Sequence, residues 1–128
     1  MIHGVGTDIV KIGRMAKPLA RHGERFAHRI LAESEREAFA CSRNPERFLS
    51  KRFAAKEAFG KALGTGVAAP ATLHAVAVTH DSLGKPLLCF DAELRAYMQA
   101  HGLSAHLSLS DESEYVVAFA VIERHDRG

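Results

Sequence analysis

The chain has 128 residues, of which 47% are hydrophobic and 25% charged, with a formal net charge of +2. That composition excludes disorder and fits one globular domain, residues 1–128, small enough for oligomerisation to help it. No apolar run reaches membrane-spanning length, the acid at position 8 argues against a signal peptide, and Cys41 and Cys89 have no metal-ligand or redox spacing. A soluble cytoplasmic protein with reduced thiols is expected, without a membrane partner.

Residues 2–8 are β-branched between glycines and predict a strand ending at Asp8, with Gly4 and Gly6 admitting another backbone or a ligand at close range. From Lys11 to Arg29 six basic residues face one acid, Glu24. Such a segment suits an acidic partner, nucleic acid or protein, although cationic helix faces are often merely solvated. Ile12, Met15 and Leu19 form a helical stripe that Gly13 and Pro18 weaken, so a kink or early stop is predicted there. Gly23 separates a second helical piece burying Phe26, Ile30 and Leu31. Ser34-x-x-Glu37 reads as a capping box. Asn44-Pro45 predicts a helix start, an N-cap followed by proline at the first helical position. From Pro45 to Leu63 only Gly60 interrupts that helix, with Phe48, Leu49, Phe53 and Phe59 as its buried residues.

Alternation then takes over. Leu73–His80 predicts a strand, Ser82 to Pro86 a turn, and Pro86–Phe90 the returning strand. Asp91 caps an amphipathic helix carrying Leu94, Tyr97 and Met98, closed by Gly102. Ala105–Ser110 and Tyr115–Glu123 complete a second hairpin, and His125 to Gly128 read as a frayed end. The order predicts an α+β fold, a mostly antiparallel sheet packed on a long central helix.

The chemistry concentrates in F-A-A-K-E-A-F-G-K, Phe53 to Lys61. Phe53, Glu57 and Lys61 are four apart and stack on one helix face, with Lys56 on the neighbouring edge. Gly64-Thr65-Gly66 supplies a helix stop and a turn with exposed N–H groups. The same spacing suits an ordinary Glu57–Lys61 surface salt bridge. Asp8 gains meaning if it meets Glu57. Two carboxylates are the sparse protein share typical of Mg²⁺, which keeps waters and takes further oxygens from a substrate phosphate. Lys56, Lys61 and the Gly64–Gly66 amides would then cradle phosphate. Gly84-Lys85-Pro86 would wall a nucleotide, and His106 and Ser110 would share a strand face. A lone strand histidine such as His106 is more often a packed or exposed residue.

Two signatures together resemble a known family: Gly6-Thr7-Asp8 followed by Arg14, and K-R-F-A-A-K-E-A-F-G-K-A-L-G-T-G from Lys51 to Gly66. The chain resembles the holo-acyl-carrier-protein synthases, the AcpS-type 4'-phosphopantetheinyl transferases, from Ile2 to Glu123. Gly84 to Pro86 and His106 to Asp111 fall where that family has its own versions. The resemblance implies the phosphopantetheinyl transferase fold and transfer of 4'-phosphopantetheine from coenzyme A to a serine of apo acyl carrier protein, with release of 3',5'-ADP. It implies Mg²⁺ on Asp8 and Glu57, and Lys61 neutralising the transferring phosphate. Glu57 or a metal-bound water would take the serine proton. Arg52, Lys56, Gly64, Gly66, Pro86, His106 and Ser110 would contact the nucleotide. It further implies a homotrimer with sites between subunits, and docking of the acidic carrier protein on the early basic helix through Arg14 and Arg21. Gly13 and Pro18 are unusual in that helix, and Ala32 replaces a common capping threonine.

Two other readings compete. A nucleic-acid module would use the basic face, but only Phe26 interleaves with it and no nucleic-acid motif is present. A small Mg²⁺-dependent nucleotide hydrolase would use Asp8, Glu57 and Lys61 without needing a docking face.

Overall fold

The computed structural model describes residues 1–126. Strand β1 (Ile2–Lys11) runs through a 3-10 turn (Ile12–Met15) into helices α1 (Ala16–His22) and α2 (Glu24–Ile30). A second 3-10 turn (Glu33–Glu35) precedes α3 (Arg36–Ala40) and the long helix α4 (Pro45–Leu63). Then come β2 (Val76–His80), β3 (Pro86–Phe90), α5 (Ala92–Ala100), β4 (Leu103–Asp111) and β5 (Tyr115–Arg124). All pairings are antiparallel: β1-β5-β4 form one sheet and β2-β3 a two-stranded ribbon. The fold is α+β with α4 against the sheet, as expected.

Helix α4 begins and ends where its chemistry dictates. The Asn44 side chain accepts from the Arg47 N–H at 3.1 Å, Pro45 follows, and Gly64 closes the helix at φ +97°. Gly60 does not break it. A Cβ there would stand 2.7 Å from the Gly66 carbonyl carbon, so this position lets the following loop fold back onto the helix. Gly4 and Gly6 do the same for β1: a Cβ on either would overlap the carbonyl oxygens of Ala62 and Ala58. The close neighbour foreseen there is a helix backbone. Inner strand residues Val10, Val116, Ala118, Ala120 and Ile122 bury against Ala54, Ala58, Phe59 and Ala62 of the helix. Alternating apolar and small residues thus set a strand and a helix in near-contact.

Several boundaries differ from expectation. Strand β1 continues three residues past Asp8, because Val10 is buried and Lys11 still pairs with Tyr115. Strand β2 starts at Val76; Thr72 accepts from the Ala75 N–H and holds the preceding residues in turns. Ser34 caps nothing. The Glu35 carboxylate instead accepts from the Ala32 N–H at 2.9 Å, half of a capping box two residues earlier. Pro18 sits in the first turn of α1, where its missing N–H costs no helical bond. Of the frayed end foreseen, His125 donates its N–H to the Gly102 carbonyl at 2.8 Å, while residues 127–128 lie outside the described residues.

Candidate functional site

Asp8 projects from the inner face of β1, and Glu57 and Lys61 from α4, the elements that Gly4 and Gly6 bring together. Lys61 Nζ donates to the Thr7 carbonyl at 2.9 Å and lies 3.4 Å from Asp8 Oδ1. Glu57 is half-buried. Burial raises its pKa, the neighbouring Asp8 charge raises it further, and Lys61 only partly offsets them. Two carboxylates that repel each other beside one ammonium make a site that gains from a cation. Among the described residues no cluster of three or more His, Cys, Asp or Glu side chains has metal-binding placement. A two-carboxylate set fits Mg²⁺, which draws its remaining oxygens from water and phosphate.

Asp8 and Glu57 line a cleft shared with Arg14, Arg29, Met15, Phe26, Ile30, Phe53 and Leu73. Its lining thus combines two carboxylates, two guanidinium groups and apolar side chains. Arg14 therefore stands at the cleft, whereas Arg21 lies further along α1 beside Lys17 and His22. Arg29 was not singled out in the sequence, although it closes the basic run that includes Arg14.

Other expected contacts fall elsewhere. Lys56 and Arg52 do not reach the cleft: both are buried on another side of α4, clasping Glu35. Lys56 Nζ also donates to the carbonyls of Ile30 and Leu73, and Arg52 donates to the Val78 carbonyl and stacks over Phe48. All three Lys56 N–H donors are engaged within the chain, which argues against its assignment to a nucleotide, and Arg52 commits Nη1 to Glu35 and the Val78 carbonyl. Glu35 was missed, because a glutamate among Glu33, Ser34 and Glu37 carries no sign of burial. Burial alone would raise its pKa, but Lys56, Arg52 and the Val78 N–H together hold it below the usual carboxylate range.

The glycine turn is also partly engaged: the N–H groups of Gly64 and Gly66 both donate to the Gly60 carbonyl at 3.0 Å. Two of the three amides expected to cradle phosphate therefore close the helix instead. Pro86 opens β3 opposite His80, after a turn in which Asp81 Oδ1 accepts from the N–H groups of Leu83 and Lys85. His106 and Ser110 share the outer face of β4, with His106 Nε2 2.6 Å from Glu123 Oε1. That face points away from α4. Within one chain they do not join Asp8 and Glu57. The outer face also exposes Val5 and Ile9 of β1 and Val117 and Phe119 of β5, the last two directly opposite Ser110 and Ser108 of β4.

A family model described as the 4'-phosphopantetheinyl transferase superfamily matches residues 4–120. The holo-[acyl-carrier-protein] synthase of Azoarcus sp. (strain BH72) is 72% identical over 123 residues, covering 96% of this chain and 98% of that protein. The Vibrio cholerae protein of the same name is 53% identical, covering 97% and 99%. Among solved structures, the Neisseria meningitidis holo-[acyl-carrier-protein] synthase superposes with TM-score 0.93 at 42% identity, covering 97% of this chain and 100% of that one. A Bacillus anthracis synthase solved in complex with coenzyme A (3',5'-ADP) gives TM-score 0.81 at 35% identity, covering 98% and 99%.

Proposed function

The chain belongs to the 4'-phosphopantetheinyl transferase superfamily, and from that membership we propose that it is a holo-[acyl-carrier-protein] synthase. It transfers 4'-phosphopantetheine from coenzyme A to a serine hydroxyl of apo acyl carrier protein and releases 3',5'-ADP. The observation that carries this reading is that Asp8, with Lys61 beside it, and Glu57 share a cleft that Arg14 and Arg29 also line.

Asp8 and Glu57 would hold Mg²⁺, which when bound neutralises charge on the donor pyrophosphate. Lys61 is aimed by the Thr7 carbonyl and Asp8, and its ammonium stands ready for the phosphoryl oxygens. In phosphoryl transfer, positioning and charge neutralisation supply most of the rate. Glu57 or a water held beside it would accept the serine proton. Arg14 and Arg29 face the acidic carrier protein, where charge complementarity raises the encounter rate and sets orientation. Arg21 extends that basic surface along α1.

A homotrimer accompanies this reading. Its support is the apolar outer sheet face, with Phe119 40% and Ile9 64% exposed, a patch of the kind that marks association surfaces. His106, Ser110 and Pro86 would then serve a neighbour's nucleotide. Cytoplasmic location is part of the same reading: among the described residues no helix is long and apolar enough to cross a membrane, and both cysteines are free and exposed.

The deciding experiment incubates apo acyl carrier protein with this protein, coenzyme A and Mg²⁺, and reads intact mass. Gain of one phosphopantetheine, abolished by EDTA, is expected. Coenzyme A hydrolysis without mass gain would overturn the reading in favour of a nucleotide hydrolase.

A further inference from the structure

Lys56 immediately precedes Glu57 yet points away from the cleft, and its ammonium is surrounded by three acceptors. These are Glu35 Oε1, the Ile30 carbonyl at 2.7 Å and the Leu73 carbonyl at 2.9 Å. Three acceptors around one nitrogen call for three N–H donors, the ammonium form. Arg52 takes the other Glu35 oxygen at 2.8 Å. The cluster thus holds two cations against one carboxylate, so Lys56 is the cation in excess of a matched Glu35–Arg52 pair. A carboxylate needing only charge balance would not require it. What Lys56 alone supplies is a tie between α4 and two carbonyls, and both Ile30 and Leu73 line the cleft beside Glu57.

We propose that Lys56 is a positioning residue for the acceptor side of the transfer reaction. From behind the cleft its ammonium pins the end of α2, and with it Phe26 and Arg29, together with the Leu73 turn, at a set distance from Glu57. The donor side is set by other means: Gly4 and Gly6 against α4 fix Asp8, and the Thr7 carbonyl aims Lys61. The two halves of the site therefore separate in their dependence on Lys56. This inference rests on the transferase reading above.

The test is Lys56→Met, which keeps the apolar stem and leaves Glu35 paired with Arg52. Its KM for carrier protein is expected to rise about tenfold, the scale of lost supporting contacts around a site. KM for coenzyme A and kcat should stay near wild type. Lys56→Gln, which offers two N–H groups to the two carbonyls, should recover part of the loss, and it replaces Lys56→Met if that variant does not fold. Equal KM for carrier protein with only a lower Tm overturns the proposal, as does a parallel loss of both substrates. Hydrogen exchange gives a readout without turnover: faster exchange confined to α2 and residues 67–75 supports it, and uniform acceleration overturns it. A wild-type protein that modifies no carrier protein would sink the transferase reading, and the exchange comparison would still decide the role of Lys56.

Discussion

Gly6 of β1 lies against Ala58 of α4 so closely that a Cβ on Gly6 would overlap the Ala58 carbonyl oxygen and stand 2.8 Å from the Ala62 nitrogen. Both opposing atoms are backbone, and neither can swing aside. Gly6→Ala must push the strand off the helix and carry Asp8 away from Glu57. We expect a loss of about 3 kcal/mol in urea unfolding, the upper range for overpacking a core, with Mg²⁺-dependent transfer falling further than stability alone explains.

Glu57→Gln should keep the fold and lose metal-dependent transfer by at least about a hundredfold, the usual scale for removing one preorganised charge from a transition state. Initial rates against Mg²⁺ concentration check this, and near-wild-type rates would remove Glu57 from the metal site.

The same carboxyl gives a sign for stability. Its folded pKa is raised by burial first and Asp8 second, so the folded state binds its proton more tightly than the unfolded state. Stability without metal therefore declines as pH rises from the ordinary glutamate value of 4.5 through the raised value. Glu57→Gln abolishes that decline. Thermal melts in EDTA should show the variant gaining on wild type as pH increases, and a constant difference would contradict the shift.

Glu35 has the opposite sign. Its pKa is held below the ordinary value, burial being outweighed by Lys56, Arg52 and the Val78 N–H. Its contribution is present above pH 4.5 and lost as pH falls through the lowered value. Glu35→Gln should lower Tm at neutral pH and narrow the gap to wild type in acid.

Charge reversal at Arg14 should raise KM for carrier protein about tenfold and weaken its salt dependence, with KM for coenzyme A unchanged. Phe119→Glu should leave a monomer in sedimentation if the outer sheet face joins subunits.

Much of this was legible in sequence because the signals were local. Asn44-Pro45, Gly64, Asp91 and strand alternation act over a few residues, so α4, β3 and α5 fall close to where their residues predict. That Glu57 and Lys61 share one helix face followed from their spacing, but the same spacing suited a surface salt bridge, and their proposed roles came from the resemblance. The misread parts depend on distant partners. Lys56 and Arg52 look like phosphate ligands until Glu35, far back in the chain, is seen to hold them. The amides of Gly64 and Gly66 look available until the loop folds onto Gly60. His106 and Ser110 share a strand face as expected, but which face meets α4 is decided by register across β5.

That register also bears on synthesis. Asp8 pairs with Ala118 and Gly6 with Ala120, so the second strand to leave its mark on the site is β5, translated after every other described strand. A nascent chain carries Asp8, Glu57 and Lys61 long before β5 exists to hold β1 against α4. Until then it presents an unpaired apolar strand at its N-terminus, open to chaperones and to misassembly with other chains. A chain stalled before Val117 would keep every proposed metal-binding and phosphate-neutralising group and still have no site.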